Sequence, residues 1–196
     1  MEKIPYLRKD NFYTNSELSL IMRELNYFTS HNIILSDDAE ESGAFSPDMT
    51  TKKAMWFNEV YKQQRFSPTW RLTDKVLQGP THEFFDLSPM NRNILDTNTY
   101  SLLLSYYEND GFYKRHCDSC HYTALIWFCN PPQKFTGGDL IFHDSNEIVK
   151  FNNNTLIIFP SWADHEVTPV KLDAQYENKQ MGRYCLSIFF NMAHQN

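Results

Sequence analysis

Apolar side chains recur at helical spacing close to the start of the chain. The positions i, i+3, i+4, i+7 and i+10 are occupied by Leu18, Ile21, Met22, Leu25 and Phe28. Residues with this spacing share one face of a helix. Thr14 and Glu17 have the spacing of a capping box, in which two residues satisfy the first free N–H groups of a helix. The pattern therefore predicts an amphipathic helix over residues 14–28.

Between this helix and residue 97 the pattern is less regular. Three segments carry a clear preference, namely short strands at 32–35 and at the start of 54–66, and a second helix at 67–78. The segment 36–48 is acidic and contains Gly and Pro, which indicates a loop. Pro80 and Pro89 are expected to break the chain after the second helix.

From residue 98 onward, short apolar or alternating segments follow one another, with Asn, Asp, Gly and Pro between them. Eight strands are predicted, at 99–107, 115–119, 122–129, 138–143, 147–151, 155–159, 165–170 and 183–190. Short strands separated by turn residues are typical of jelly rolls. The chain is therefore predicted to be mainly β (α+β), with a cupin-like double-stranded β-helix core at 98–196 and supporting helices in 1–97. No linker separates these parts, so residues 1–196 are predicted to form a single domain.

Charge and composition argue against several classes of function. The formal net charge is −6, and no dense run of Lys and Arg is present. Because phosphate contacts supply most of the affinity for nucleic acid, this balance argues against a nucleic-acid partner. The sequence has no apolar run of membrane-spanning length and no secretory signal, so we expect no membrane partner and an intracellular location with reduced cysteines.

The segment RHCDSCH, residues 115–121, contains two overlapping metal-binding patterns. Cys117 and Cys120 precede a histidine in the form C-x-x-C-H, which can attach haem, and a C-x-x-C pair can also bind zinc or do redox chemistry. His116 and Asp118 have the form H-x-D, and such a pair can hold non-haem iron. Haem attachment accompanies export, and a single C-x-x-C is half of a zinc site, so we favour the iron site.

An iron site of this kind needs a second histidine on a neighbouring strand, and His165, at the start of a predicted strand, is the candidate. If 115–119 is a strand, His116 and Asp118 point to one side while Cys117 points to the other. Two histidines and one carboxylate occupy one face of an octahedral iron. They leave positions open for O₂ and a bidentate cosubstrate.

Such a cosubstrate is usually a keto acid, and its buried carboxylate needs a fixed cation. Arg183 begins the last predicted strand, and a guanidinium can donate two parallel hydrogen bonds to a carboxylate. Ser187 lies four residues on, on the same side of that strand, and can donate to the same carboxylate. Tyr107 ends the first core strand and can supply a phenol. These three residues are predicted to bind the cosubstrate.

Four ordered segments, YYENDGFYKRHCDS, TGGDLIF, FPSWADHEVTPV and GRYCLSIFF, resemble the iron(II)/2-oxoglutarate-dependent oxygenases, and more narrowly their prolyl 4-hydroxylase-like branch. The similarity extends over residues 100–191. It implies a dioxygenase that uses Fe(II), 2-oxoglutarate and O₂, with ascorbate as activator. Such an enzyme hydroxylates its substrate and releases succinate and CO₂.

The resemblance also implies roles for individual residues. The implied metal ligands are His116, Asp118 and His165. The implied cosubstrate-binding residues are Arg183, Tyr107, Ser187 and Leu140, and the implied substrate-contacting residues are Tyr113 and Phe189.

One segment departs from the family pattern, and one tyrosine can be aligned with it in two ways. The segment between His165 and Arg183 is longer than usual, and residues 171–181 are interpreted as an inserted loop. A shift of one residue in the alignment would put Tyr106 in the place of Tyr107.

The substrate is predicted less narrowly than the reaction. The first choice is a prolyl residue in a peptide or protein, and the alternative is a free amino acid, a small metabolite or a nucleobase. A non-catalytic binding module on the same fold is a third interpretation. The complete set of two histidines, one carboxylate and Arg183 argues against that module. The sequence gives no indication of an oligomeric state.

Overall fold

The computed structural model describes residues 3–33 and 49–193 of the chain. The predicted loop at 36–48 lies outside the described residues, and the predicted strand at 32–35 lies partly outside them. Among the described helices, none combines the length and the apolar character that crossing a membrane requires.

Within the described ranges, the helices gather in the first half of the chain. They are α1 (Asn15–Ser30), α2 (Phe57–Val60), α3 (Pro68–Leu72), α4 (Asp74–Gln78) and α5 (Pro80–Leu87), with 3-10 turns at Gln64–Phe66, Pro89–Asp96 and Ala174–Tyr176. The predicted helix 14–28 is confirmed as α1. Thr14 donates its backbone N–H to the Glu17 carboxylate (2.7 Å), and its hydroxyl accepts from the backbone N–H of Glu17 (3.4 Å). The capping box therefore fixes where α1 begins.

The remaining helices correct three predictions. The helix predicted at 67–78 divides at Thr73 into α3 and α4. The loop predicted within 54–66 contains α2 and a 3-10 turn. Pro80 and Pro89 begin helical segments, where we had expected them to interrupt structure. The first position of a helix has no use for a backbone N–H, so proline fits there without loss.

All eight predicted strands are present, one with the predicted bounds (99–107) and the others with shifted bounds. The described strands are β1 (Leu7–Lys9), β2 (Thr50–Thr51), β3 (Lys53–Trp56), β4 (Thr99–Tyr107), β5 (Phe112–His116), β6 (Tyr122–Phe128), β7 (Phe135–Thr136), β8 (Leu140–Phe142), β9 (Glu147–Val149), β10 (Thr155–Pro160), β11 (His165–Val167), β12 (Lys171–Leu172) and β13 (Arg183–Asn191).

One shift matters for the chemistry. The strand predicted at 115–119 is β5, which ends at His116, so Asp118 lies outside the strand and the predicted strand alternation does not apply to it. The segment 171–181, predicted as a loop, begins with β12, which pairs with β7. Strands of two or three residues such as these are too short to show a period in the sequence.

The strands form two facing sheets and a small third one. The order in the larger sheet is β1-β10-β6-β13-β4-β3, the order in the smaller sheet is β2-β5-β11-β8-β9, and β12 pairs with β7. The predicted fold, a double-stranded β-helix with supporting helices, is confirmed. β2 and β3 are joined by Lys52 alone, so the chain passes directly from one sheet to the other at that residue.

Buried apolar residues form two clusters on the two sides of the larger sheet. Residues 122–128 are buried along their whole length. Ile126 and Phe128 pack on the helix side with Leu25 of α1, whereas Leu125 and Trp127 face the space between the sheets. Because successive side chains of a strand alternate sides, one strand supplies both clusters.

Glu24 joins α1 to the helices that follow. Its carboxylate is buried and accepts hydrogen bonds from the hydroxyls of Tyr61 and Ser67 (3.1 Å for Ser67) and from the backbone N–H of Thr69 (2.8 Å). A buried carboxylate is tolerated only when its oxygens are hydrogen-bonded, and here three donors from the α2–α3 region meet that need.

We predict that Glu24→Ala lowers the free energy of unfolding by at least about 3 kcal/mol, because hydrogen bonds to a charged group contribute ~1.5–3 kcal/mol each and three buried donors lose their acceptor. Urea denaturation followed by circular dichroism measures the change. The control is Glu59→Ala, which alters an exposed glutamate of α2 and should stay within ~0.5 kcal/mol of the parent. Equal stability of the two variants would contradict the proposed anchoring role.

Candidate active site

Strand pairing brings the two candidate histidines together. His116 at the end of β5 is the register partner of His165 at the start of β11, and their ring centroids are 4.3 Å apart. Asp118 lies two residues beyond the end of β5, where its backbone N–H donates to the carbonyl of Ser161 (3.0 Å). The turn therefore returns the carboxylate to the histidines, although Asp118 does not share their strand.

The three side chains form one compact cluster. His116 Nε2 lies 3.6 Å from Asp118 Oδ1, and His165 Nε2 lies 3.7 Å from Asp118 Oδ2. One potential ligand atom from each residue lies within 4.8 Å of the others, and no second group of this kind occurs in residues 3–33 and 49–193. Two imidazole nitrogens and a carboxylate oxygen form a donor set that suits a divalent transition metal.

Hydrogen bonds fix the orientation of both rings. Nδ1 of His116 lies 2.7 Å from the carbonyl of Lys114, and Nδ1 of His165 lies 2.8 Å from the carbonyl of Ala163. A carbonyl only accepts, so each Nδ1 carries the proton and donates it. Each Nε2 is thereby left with a lone pair directed towards Asp118, the arrangement that metal-binding histidines need.

The charge states of the cluster also suit metal binding. Burial lowers the pKa of His165, which keeps its ring neutral. Burial alone would raise the pKa of Asp118, but its interactions with the two neighbouring imidazoles and with the hydroxyl of Thr123 together hold it below its usual value. Thr123 Oγ1 donates to Asp118 Oδ2 (2.6 Å) and lies 2.8 Å from Ser161 Oγ. Thr123 and Ser161 were not predicted, because nothing in the local sequence distinguishes a buried hydroxyl that contacts a site from one that does not.

The C-x-x-C cysteines point elsewhere. Cys117 Sγ donates to the carbonyl of Trp162 (3.2 Å), and Cys120 Sγ lies 2.8 Å from Ser161 Oγ. Burial raises the pKa of both thiols, which disfavours the thiolate form that metals bind. Neither cysteine belongs to the cluster of potential ligands.

Arg183 is a buried cation without an anion. Its side chain is fully buried at the start of β13, and its guanidinium lies 5.1 Å from the ring centroid of Tyr107, 5.3 Å from Trp127 and 5.7 Å from Phe151. Within the described residues, Nε and both Nη atoms have no hydrogen-bond partner. A buried guanidinium with five unused N–H groups needs an acceptor, and a carboxylate matches its planar fork.

Gly138 makes room for this arginine. A Cβ atom at Gly138 would lie 2.6 Å from Cδ of Arg183, and the backbone φ of +68° there disfavours a side chain. Gly138 of the segment TGGDLIF is therefore required at this position, because the loop before β8 passes directly over Arg183.

Of the adjacent tyrosines, Tyr107 is the one on the cavity side. Tyr107 is the register partner of Arg183, whereas Tyr106 faces the helices and accepts from the backbone N–H of Gly182 (3.1 Å). Ser187 lines the same cavity as Tyr107. Leu140 is fully buried in β8 but does not line this cavity. The apolar part of the cavity wall is formed by other residues, among them Val167, which is the register partner of Leu140.

An open groove leads from the surface to the three-residue cluster. It is lined by Trp56, Ser101, Leu103, Tyr113, Cys117, Asp118, Ser119, Cys120, Phe189 and Asn191. The rings of Trp56 and Phe189 lie 5.9 Å apart, and the ring of Tyr113 stacks on His116 at 3.6 Å. Burial raises the pKa of Tyr113 to about 12, so its phenol stays protonated. The sequence analysis missed Trp56, whose position across the groove follows only from the pairing of β3 with β4.

Lys52 is a second buried cation near the cluster, and the sequence analysis missed it too. It lines the cavity between the sheets together with Tyr107, His116, Asp118 and His165. Its Nζ lies 4.4 Å from the ring centroid of Tyr113. Burial lowers the pKa of Lys52 to about 8.

We predict that His165→Ala removes stoichiometric binding of Fe(II) or Mn(II) in anaerobic titration calorimetry. The variant loses a buried ligand, which should cost more than the ~10–100-fold that loss of an outer partner costs. His143→Ala is the matched control. His143 follows β8 directly, and its Nε2 lies 3.0 Å from Glu166, outside the cluster.

A second control separates the two metal-binding patterns of the sequence. The double variant Cys117→Ser, Cys120→Ser should keep the affinity of the parent protein for Mn(II). Loss of metal in this variant but not in His165→Ala, with unchanged circular dichroism in both, would restore the C-x-x-C site and refute the histidine–carboxylate site.

Comparison with known proteins agrees with this geometry. The family model described as the 2OG-Fe(II) oxygenase superfamily matches residues 102–191, which include the three-residue cluster and Arg183. No curated protein matches the chain.

Solved structures with the same fold include several prolyl hydroxylases. A prolyl-4-hydroxylase from Pseudomonas putida has a TM-score of 0.65 at 14% identity, covering 98% of this chain and 95% of its own. A prolyl hydroxylase from Trichoplax adhaerens, in complex with a peptide fragment of the hypoxia inducible factor oxygen degradation domain, has a TM-score of 0.67 at 17% identity, covering 97% and 84%. A viral collagen prolyl hydroxylase from Paramecium Bursaria Chlorella virus-1 has a TM-score of 0.55 at 16% identity, covering 94% of both chains.

At these identities the structures establish the fold, and the family model supplies the chemistry. The family implies Fe(II), 2-oxoglutarate and O₂. Two histidines, one carboxylate and a buried arginine without an acceptor fit those groups. The chain therefore carries a 2OG-Fe(II) oxygenase domain, and the protein is a 2-oxoglutarate-dependent dioxygenase with a prolyl-4-hydroxylase-like fold.

Proposed function

We propose that this dioxygenase hydroxylates prolyl residues in a peptide or a flexible protein segment. The observation that carries the proposal is the open groove, whose aromatic side chains Trp56, Tyr113 and Phe189 lead to the candidate metal site. The prolyl hydroxylases of similar fold support it, and one of them holds a peptide. Because the sequence identity to these proteins is 14–17%, the substrate is inferred from the groove and not from their substrates.

The proposed metal ligands are His116, Asp118 and His165. Both Nε2 atoms and one oxygen of Asp118 would hold Fe(II), with the rings kept in place by their Nδ1–H bonds to backbone carbonyls. Bound Fe(II), together with 2-oxoglutarate and O₂, supplies the oxidising chemistry that places a hydroxyl group on the substrate and yields succinate and CO₂. The carboxylate of Asp118 fills a coordination position, which favours hydroxylation over transfer of a halide.

Arg183 would bind the distal carboxylate of 2-oxoglutarate. Its three nitrogens, which have no hydrogen-bond partner among the described residues, support this role. Tyr107, the register partner of Arg183, would contribute a phenol. Burial raises the pKa of that phenol, so it stays protonated and can donate a hydrogen bond. The hydroxyl of Ser187, two residues beyond Cys185 on the same side of β13, would add another donor. Leu140 would support the pocket indirectly, through its neighbour Val167, which lines the cavity.

The groove suits an extended proline-containing chain. Pyrrolidine is an apolar ring, and the faces of Trp56 and Phe189 offer apolar contact beside Asp118. A proline-rich segment is already stiff, so binding it costs little conformational entropy. The open shape of the groove favours a polymer over a small metabolite, which would be better served by an enclosed pocket.

We predict that Arg183→Ala weakens binding of 2-oxoglutarate by roughly a hundredfold or more. Leaving one partner of a buried charge pair alone costs about 3–5 kcal/mol, which corresponds to that change in Kd. Calorimetry with the Mn(II)-loaded protein measures it. Arg183→Lys should lose less, because it keeps the charge but not the fork. Parent-like affinity in Arg183→Ala would mean that another cation binds the carboxylate.

The substrate proposal is tested by a panel assay. Purified protein with Fe(II), 2-oxoglutarate and ascorbate, the proposed activator, is mixed separately with proline-containing peptides, free amino acids and nucleobases. Succinate release and the gain of one oxygen in mass are measured together. We expect both with peptides, and we expect both to disappear when the proline is replaced by alanine.

Turnover with a free amino acid, a metabolite or a nucleobase, and not with any peptide, would reject the prolyl proposal. The dioxygenase assignment would stand in that case. Binding of 2-oxoglutarate without release of succinate from any mixture would instead favour a non-catalytic binding module.

A further inference from the structure

Lys52 occupies an unusual place for a lysine. It is the single residue between β2 of the smaller sheet and β3 of the larger sheet, and its side chain turns into the space between them. Only 8% of its surface is exposed. No carboxylate or other acceptor among residues 3–33 and 49–193 lies within hydrogen-bonding or ion-pairing distance of its Nζ, whereas the next residue, Lys53, pairs with Glu108 at 3.2 Å.

An ammonium group in this position costs stability. Removing a charge from water is unfavourable unless the charge meets an opposite one. Among the described residues Lys52 forms no ion pair: its Nζ lies 4.4 Å from the ring centroid of Tyr113, and the carboxylate of Asp118 in the same cavity acts on it from beyond ion-pair distance. A buried cation that forms no ion pair with the described residues points to a ligand that neutralises it. The ligand must carry negative charge where Lys52 lines the cavity.

Strand pairing places Lys52 beside the cosubstrate residues. β3 and β4 run antiparallel with Lys53 opposite Tyr106, so Lys52 precedes β3 at the level of Tyr107. Tyr107 is in turn the register partner of Arg183 on its other side. Two buried cations, neither of them in an ion pair with a residue that the structure describes, therefore flank one tyrosine across three neighbouring segments of the same sheet.

We propose that Lys52 is a second cation that binds a carboxylate of 2-oxoglutarate, in addition to Arg183. The cosubstrate has two carboxylates, and two buried cations lie beside Tyr107, Lys52 in the wall of the inner cavity and Arg183 opposite Tyr107 on β13. Lys52 lines the inner cavity with Tyr107, Cys185 and Ser187, and it does not line the outer groove with Trp56, Ser101 and Asn191. This division assigns it to the cosubstrate and not to the hydroxylated substrate. The proposal rests on the use of 2-oxoglutarate and is independent of the prolyl substrate.

The first measurement is the affinity for 2-oxoglutarate at pH 7, by calorimetry with the Mn(II)-loaded protein and no second substrate. We expect Lys52→Met, which keeps the length of the side chain, to raise the Kd about tenfold, equivalent to ~1.4 kcal/mol. Lys52→Arg should recover part of the loss. Lys53→Met is the matched control, since Lys53 is adjacent, half-buried and paired with Glu108, and its Kd should equal that of the parent.

The second measurement separates binding from a structural role. In the ligand-free protein, Lys52→Met removes an unpaired buried charge and should raise the melting temperature, while 2-oxoglutarate should stabilise it less than it stabilises the parent. A residue that only supports the fold would give a lower melting temperature in both conditions.

The analogue 2-oxopentanoate, which lacks the distal carboxylate, identifies the group that Lys52 contacts. Equal weakening of both ligands by Lys52→Met indicates the keto-acid end, and weakening of 2-oxoglutarate alone indicates the distal end. Both results support the proposal. A parent-like Kd for 2-oxoglutarate in a folded Lys52→Met protein overturns it, and a rise only in the KM of the hydroxylated substrate would assign Lys52 to that substrate instead.

Discussion

An unneutralised charge inside a protein is costly, and this constraint organises the space between the two sheets. The guanidinium of Arg183 is fully buried and stacked among aromatic rings, and among the described residues nothing accepts its hydrogen bonds. The fold tolerates this cost because the surrounding sheets are closely packed with apolar side chains. Polar groups at the other end of the same cavity, around Asp118, are by contrast well satisfied. Among the described residues, the polar groups around Asp118 are therefore hydrogen-bonded, whereas those of Arg183 are not.

A single strand connects this cavity to the rest of the fold. Along β13, Cys185, Ser187 and Phe189 line the cavity or the groove and Arg183 lies buried on the same side of the strand, whereas Tyr184, Leu186 and Ile188 pack on the helix side. β13 also lies between β4 and β6 in the larger sheet, so its position is fixed on both edges. The helices that cover the sheet thus pack on the alternate residues of the strand that carries Arg183 and Ser187.

Sequence reasoning succeeded where the signal is local and periodic. The helix from Asn15 has five apolar positions and a capping box, and the eight core strands are separated by turn residues, so both were recognised. The four additional strands of two or three residues were missed, because so few positions cannot establish a period. The bounds of β5 were also wrong, since the aromatic residues before His116 extend the strand backwards and the turn begins after it.

The same limit applies to the site. His116, Asp118 and His165 were chosen correctly as neighbours, although strand alternation was the wrong reason for Asp118, which reaches the histidines from a turn. Lys52, Trp56 and Thr123 had no signal in the sequence. Each acquires its place through the pairing of segments that are far apart in the chain, and a single sequence contains no direct record of that pairing.

The position of Asp118 has a consequence for how this scaffold can change over evolutionary time. Strand pairing specifies the two histidines, but a turn specifies the carboxylate, and the backbone bond of that turn to Ser161 does not depend on the side chain at 118. Substitution of residue 118 alone can therefore remove one of the three candidate metal ligands, while the sheets, the cavity and both histidines stay as they are. A new reaction on this framework needs a change in one turn and no new fold.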